Sequence, residues 1–403
     1  MKILVFVHQL DIGGTLVNSI ELAAALRDFH GCDVVFFATP GPMVRLIVEK
    51  GLRFLPAPTA PFFPSPARMS ALRDAVRRER PDLIHVWELW PCVDTFYAVH
   101  LPMRIPMLVT DMQMNVTRLL PKGLPTTFGI PELVDKAKAM SYRRVELLLP
   151  PVDVNVNAPG VVDPTKFRRE YGIRDSDITL VTVSRLVEEM KSESLFRTIS
   201  AVRTLGRDLP LRFVIVGDGT ARAKLERLAD EINDELGRPA VVLAGARLDP
   251  RPAYASADIV VGMGGSALRG MAFGKPVIIV GEQGFSAPLT PQTAESFYYK
   301  GIFGRGNGHP SNARLVEDIR WLAEHPDDQL VALGQFSRQF VQRSFSLEEV
   351  ASRLAEFCRA AVADMPRLHE TAFDGLRTAA VYLRERKFFM RSSPPEPTEI
   401  VER

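Results

Sequence analysis

Three kinds of residue in this sequence could act on a charged ligand: glycines in loops that open helices, cations just past strands, and carboxylates at strand ends. Gly262 to Lys275 reads as a glycine loop and a short helix, followed by a strand from Val277. Such a loop leaves backbone N–H groups unpaired and aims a helix dipole at one spot, which suits a phosphate. Gly264, Gly265 and Ser266 would supply N–H groups and a hydroxyl there, although a serine at a helix start is most often an N-cap. Gly13-Gly14 repeats the arrangement near the N terminus, where the missing Cβ lets backbone approach a ligand. The alternative is a plain tight turn. Arg185 and Lys191 follow another strand. A bidentate guanidinium beside a mobile ammonium suits an anion whose charge grows during reaction. Otherwise the segment is a solvated charged loop. Glu88 and Asp111 stand at strand ends, where a carboxylate can orient or deprotonate a hydroxyl or amine, or merely cap a helix.

The elements that must position these groups alternate. Ile3–Val7, Asp33–Ala38, Arg53–Leu55, Leu83–Val86 and Met107–Thr110 read as strands, with helices over Thr15–Asp28, Val44–Lys50 and Ser70–Glu79. Pro56 to Pro66 reads as a proline-rich loop. Pro150 to Pro164 breaks the rhythm and reads as a link. A second series follows, with strands at Ile178–Ser184, Arg212–Val216, Val241–Leu243, Ile259–Val261 and Val277–Val280. Strand–helix alternation predicts parallel sheets covered on both faces. Two in tandem predict an α/β protein of two Rossmann-like domains facing a cleft, with ligands at the strand C-termini. The Ser346–Ala363 and His369–Lys387 helices are expected to return to the first domain. The expected divisions are 1–155, 156–345, 346–390 for the returning helices, and a disordered tail at 391–403.

Composition narrows the class. A chain of 403 residues, 46% hydrophobic and 24% charged, has material for two cores. Its 50 basic and 48 acidic residues give a net charge of +2, which provides no global drive toward nucleic acid. Cys32, Cys92 and Cys358 form neither a disulfide framework nor a zinc spacing, so a reducing cytoplasm is expected. Ile3–Val7 is too short for a signal peptide and no run could span a bilayer, so any membrane contact is expected to be peripheral. No metal is expected, because no Asp-x-Asp or histidine cluster stands at a strand end. His8 and His85 read as structural, and Trp87 and Trp90 as packing residues or sugar-stacking platforms.

Seven motifs in register resemble the family 4 glycosyltransferases over Met1 to Ser344. Gly13-Gly14 with its helix is similar to that family's opening. "PDLIHVW" resembles "PDVVHVH", and "PPVDVNVNAPG" resembles "PPGVD-x-x-F-x-P". "VSRLVEEMK" resembles "VGRL-x-x-EKG", and "FVIVGDG" matches closely. "YASADIVVGMG" is similar to "YAAADVFVLPS", and "LRGMAFGKPVI" to "EAMA-x-G-x-PV".

The resemblance implies a GT-B fold and transfer of a sugar, with retention, from a nucleotide-diphospho-sugar to a small-molecule or glycan acceptor. The donor would be UDP- or GDP-linked, with no further cofactor. Arg185 and Lys191 would stabilise the departing diphosphate. Gly13, Gly14, Gly217, Gly264, Gly265, Ser266 and Arg269 would contact the donor, and Glu88 and Asp111 the acceptor. Three departures stand out. The glutamate that accepts from the ribose hydroxyls is Arg269, which can only donate. The other glutamate of the family's E-x7-E pattern falls at Val261. A histidine expected near Asp111-Met112 is absent. These departures keep open a pseudo-glycosyltransferase, a transferase with an unusual donor, or a non-catalytic nucleotide-binding partner.

Overall fold

The computed structural model describes residues 1–187, 192–308 and 312–388. Lys191 and the tail expected at 391–403 lie outside the described residues. Two compact units emerge: Met1–Pro151 together with the helices from Leu347, and Val152–Ser346. The chain enters the second unit at Val152 and leaves at Ser346, and these two residues bridge each other.

The first unit holds seven strands: β1 (Lys2–Gln9), β2 (Asp33–Thr39), β3 (Arg53–Pro56), β4 (Leu83–Trp87), β5 (Met107–Asp111), β6 (Pro125–Phe128) and β7 (Arg144–Leu147). All pair in parallel, in the order β3-β2-β1-β4-β5-β6-β7. Ile3 to Val7 are buried as a continuous run, as expected of a central strand covered on both faces. Strand order reverses between β1 and β4, so the switch point lies at their C-terminal ends.

The second unit holds β8 (Ile178–Val183), β9 (Leu211–Val216), β10 (Val241–Gly245), β11 (Ile259–Gly262), β12 (Val277–Val280) and β13 (Ser286–Pro288). The order is β10-β9-β8-β11-β12-β13, with only β13 antiparallel. Its switch point falls between β8 and β11.

The helices serve the same plan. Gly14–His30 ends at Gly31 in the left-handed region (φ 62°), where Gly31 N–H satisfies the last carbonyls. The helix expected from Ser70 starts earlier, at Pro66. Ser65 caps it by accepting from the Arg68 N–H, and Pro66 takes the first turn, where a missing N–H costs nothing. The Leu347–Ala363 helix packs on Gly14–His30, β4 and β5, within the first unit. No described helix is long and apolar enough to cross a membrane.

Candidate active site

At the β8/β11 switch point the strand ends carry the Arg185 loop and the Gly264 helix start. A small recess there is lined by Thr182, Ser184, Ser194, Gly262, Met263 and Ser266. Beside it Arg185 is exposed, with no ionic partner among the described residues.

Arg185 is held by the loop after β9. Leu186 N–H donates to Asp218 O (2.9 Å) and Ala221 N–H donates to Leu186 O (2.8 Å). Gly217 and Gly219 sit at φ 147° and 152°, in the region that favours glycine. A Cβ on Gly217 would stand 1.8 Å from Ser184 O, and one on Gly219 would stand 2.5 Å from Leu186 O. The Gly217 N–H donates to Gly245 O (2.9 Å). Gly217, which the family resemblance places against the donor, uses its N–H within the unit. Its glycine character serves close packing that fixes the Ser184–Leu186 segment.

The Gly265–Ala272 helix begins one residue earlier than expected, and its N-cap is Gly264, not Ser266. Gly264 adopts φ 55°, ψ −135°, and its N–H donates to Ile302 O. The first intrahelical bond is Leu268 N–H to Gly264 O, so the N–H groups of Gly265, Ser266 and Ala267 lie outside the ladder. The Ser266 hydroxyl accepts from Tyr254 Oη (3.2 Å), whose ring stacks on Phe273. Arg269 folds back so that Nη1 donates to Gly265 O (3.3 Å). Its positive charge therefore stands at the same helix end as the open N–H groups. Val261, where the family places its first glutamate, is buried in β11.

Two carboxylates here had gone unnoticed in the sequence. Glu193 accepts from the Gln283 and Gly284 N–H groups (2.9 and 2.6 Å), pinning the loop after β12. Glu282, at the end of that strand, pairs with Arg305. The "VGEQG" pattern after a buried strand was the available signal.

The first unit's switch point has the opposite character. Gly13 is the N-cap of Gly14–His30 with ordinary extended backbone (φ −167°), and no side chain caps that helix. A Cβ on Gly13 or Gly14 would meet nothing within 4 Å. Neither glycine is required by the unit's own packing, in contrast to Gly217.

Glu88 caps Leu89–Thr95 through its backbone only, at φ 69°, with its N–H on Thr110 O (2.8 Å). Its side chain accepts from Gln113 Nε2 (3.2 Å) instead. The Gln113 backbone N–H meanwhile donates to Asp111 Oδ1 (3.0 Å), so one residue links both carboxylates. Asp111 is 1% exposed. Burial raises its pKa to about 6, opposed by the Gln113 N–H and reinforced by the nearby Glu88 charge. Burial also raises Glu88, against the Gln113 bond.

The histidines divide. His85 Nε2 meets Thr110 Oγ1 (2.7 Å) in a buried chain that runs on to Thr127, and burial lowers its pKa to about 3. It is structural, as read from the sequence. His8 lies half-buried at the end of β1, where fully buried Arg68 donates from Nη1 to His8 Nδ1 (2.7 Å). That bond leaves the His8 proton on Nε2. Trp87 is buried within the unit, and Trp90 stacks on Phe63 at 5.1 Å.

Two doubly wound units of this topology have the architecture of the GT-B fold. Comparison with known families agrees. Residues 177–295 match the model described as Glycosyl transferases group 1, and residues 12–111 match Glycosyltransferase Family 4. The chain belongs to this glycosyltransferase family. A glycosyltransferase from Rickettsia africae ESF-5 has the same fold, with a TM-score of 0.72 at 15% identity, covering 90% of this chain and 98% of that one. Anabaena Alr3699/HepE, solved with UDP-glucose, aligns with a TM-score of 0.69 at 16% identity, covering 89% and 100%. WaaG, a glycosyltransferase involved in lipopolysaccharide biosynthesis, gives 0.60 at 14% identity, covering 88% and 99%. No curated protein matches the chain in sequence.

Proposed function

We propose that the enzyme transfers a sugar, with retention, from a nucleotide-diphospho-sugar held by the second unit to an acceptor held by the first. The observation that carries this reading is the anion site at the β8/β11 switch point. Exposed Arg185, the open N–H groups of Gly265 to Ala267 and the guanidinium of Arg269 all present positive charge there. A diphosphate gains charge as its bond to the sugar breaks, and preorganised donors stabilise that change. Lys191 would add a mobile cation to the same loop. Gly13 and Gly14 would give a phosphate close access to a second helix N-terminus. Asp111, with Glu88, would orient the acceptor hydroxyl or amine and take its proton, because a carboxylate with a pKa near 6 is ionised yet basic at neutral pH.

The Anabaena relative was solved with UDP-glucose, which makes UDP-sugars the first donors to try. A second reading, a donor other than an ordinary ribonucleotide sugar, is favoured by Arg269, which offers ribose hydroxyls no acceptor. A thermal-shift panel of UDP-, GDP-, ADP- and TDP-sugars tests both. A ligand that binds only the folded state raises the melting temperature. Stabilisation by one family of nucleotide sugars supports transfer. No response to any of them, with a response to a phosphorylated nucleotide, favours the second reading. Silence throughout removes donor binding from the proposal.

A further inference from the structure

The Leu368–Phe388 helix is inside out. An ordinary surface helix buries its apolar stripe and exposes its polar face. Here the face turned to the first unit carries Thr371, Asp374, Gly375 and Thr378, all buried. It is held by polar bonds: Tyr97 Oη donates to Gly375 O, Asp374 accepts from the Gly123 N–H, and Tyr382 Oη donates to Phe63 O. The outward face carries Leu368 (59% exposed), Phe373 (73%), Leu376 (73%) and Leu383 (64%). Phe373, Leu376, exposed Ala380 and Leu383 follow at three- and four-residue spacing, one stripe along the helix. Contiguous exposed apolar surface of this kind marks a contact site.

The charges beside the stripe say what it contacts. A cavity of about 620 Å³ opens at the helix's N-terminal end, and Phe373 belongs to both cavity and stripe. Lys122, Arg143, Arg144 and Arg377 line it, against the carboxylates Glu370 and Asp374. Arg143 is 71% exposed and meets Glu370 only at 3.6 Å. Burial lowers the Lys122 pKa, with Arg377 adding to the effect, Asp374 opposing it and Arg118 contributing least. The buried His100 also lines the cavity. Its Nδ1 meets Ile105 O (2.8 Å) and must donate, so Nε2 carries a lone pair, and it has no partner. Arg144 pairs with Asp364 and Arg377 with Asp374, while Lys122 Nζ donates to Met140 O, so the largely exposed Arg143 is the cation best placed to meet a phosphate. The cavity lies at the N-terminal ends of β6 and β7, whereas Glu88 and Asp111 stand at the C-terminal ends of β4 and β5. It is therefore separate from the active-site strand ends.

We propose that this helix face and its basic cavity dock the enzyme on an anionic bilayer. Phe373, Leu376 and Leu383 enter the acyl boundary, while exposed Arg143 meets lipid phosphates. In-plane helices bind by buried apolar area together with attraction to anionic lipid. Exposed Arg384 stands next to Leu383 on the same helix.

The test is sedimentation of the full chain with vesicles of phosphatidylcholine, alone or mixed with phosphatidylglycerol. Wild type is expected on the anionic vesicles, weakly on neutral ones, and released by salt. Phe373→Ser with Leu376→Ser should weaken binding by more than about tenfold, because each loses a buried apolar side chain. Leu383→Asp is an independent second variant, and Arg143→Glu should lower binding on anionic vesicles only. Unchanged melting curves show that these exposed positions leave the fold intact. The proposal is overturned if wild type sediments with neither vesicle, or if the apolar variants bind as wild type does. It is also overturned if light scattering shows a dimer that the double variant dissociates, which would assign the face to a second copy of the chain.

Discussion

The switch points of the two sheets share a topology and differ in charge. At β1/β4 and the neighbouring end of β5, the groups are acceptors: Glu88 and Asp111, both pushed toward the neutral form by burial. At β8/β11 they are donors: Arg185, Arg269 and the N–H groups of Gly265 to Ala267. An acceptor nucleophile must lose a proton, which carboxylates can take. A leaving diphosphate must hold growing charge, which only donors and cations stabilise. On the proposed reading, the same strand–loop–helix geometry would serve two chemistries, with the loop residues deciding which.

The largest effect is expected at Arg185. Arg185→Ala should lower kcat by about 10²–10³-fold, with the donor KM changed by only a few-fold, because its charge matters most in the transition state. A raised KM with normal kcat would make Arg185 a uniform binder and blur the contrast between the sheets.

Asp111→Asn tests the other side. It should lower kcat by about 10²-fold, and wild-type activity should rise with pH through about 6 as the carboxylate ionises. Stability must move the opposite way. A carboxylate whose folded pKa is raised favours the native state below its unfolded pKa, and that contribution is lost as pH rises through the folded value. Urea melts should therefore show Asp111→Asn to be more stable than wild type by on the order of 1–3 kcal/mol well above pH 6, the gain shrinking toward about pH 4. A pH-independent difference would mean that the raised pKa is not expressed in the native state.

The strands were legible because parallel, doubly covered strands read as apolar runs: Ile3–Val7 and Val277–Val280 could be little else. The unread elements are those whose signal is not periodic. β6 (Pro125–Phe128) and β7 (Arg144–Leu147) are short and mixed, and only pairing beside β5 makes them strands. The π-helical turn at Phe96–His100 has no one-dimensional signature. At the site, residue types were visible but partners were not. The sequence offered Gly217 and Gly13 as similar glycines. Only packing shows that one faces Ser184 O and the other faces open space. Likewise nothing before the fold joins Glu88 to Asp111 through Gln113, or Arg68 to His8 across sixty positions.

That pair of glycines gives a smaller but sharper test. Gly217→Ala sets a Cβ against Ser184 O at a left-handed φ, and should destabilise by roughly 2–4 kcal/mol in urea melts. Gly13→Ala meets nothing in the protein, so stability should stay within about 0.5 kcal/mol. If Gly13 gives a phosphate its access, the same variant should weaken donor binding by about tenfold, read by calorimetry. Normal donor affinity in Gly13→Ala would leave that loop a simple turn and confine the anion chemistry to the second unit.

The most specific effect belongs to Arg269. Its guanidinium lies over Gly265, at the helix end whose N–H groups are open. An arginine there reinforces an anion and offers a ribose diol nothing to donate to. Arg269→Glu restores an acceptor at the family's position while removing one positive charge from the phosphate site. The two changes oppose each other for an ordinary UDP-sugar, so its affinity should change only a few-fold, each ion pair or hydrogen bond being worth about 1–2 kcal/mol. For a donor with a phosphorylated ribose both changes are unfavourable, and affinity should fall by more than about tenfold. The ratio of the two affinities, measured on wild type and variant in the same buffer, isolates the role of this side chain from any general loosening of the loop. An unchanged ratio would place Arg269 outside the donor's reach and leave its charge on its own helix, bonded to Gly265 O.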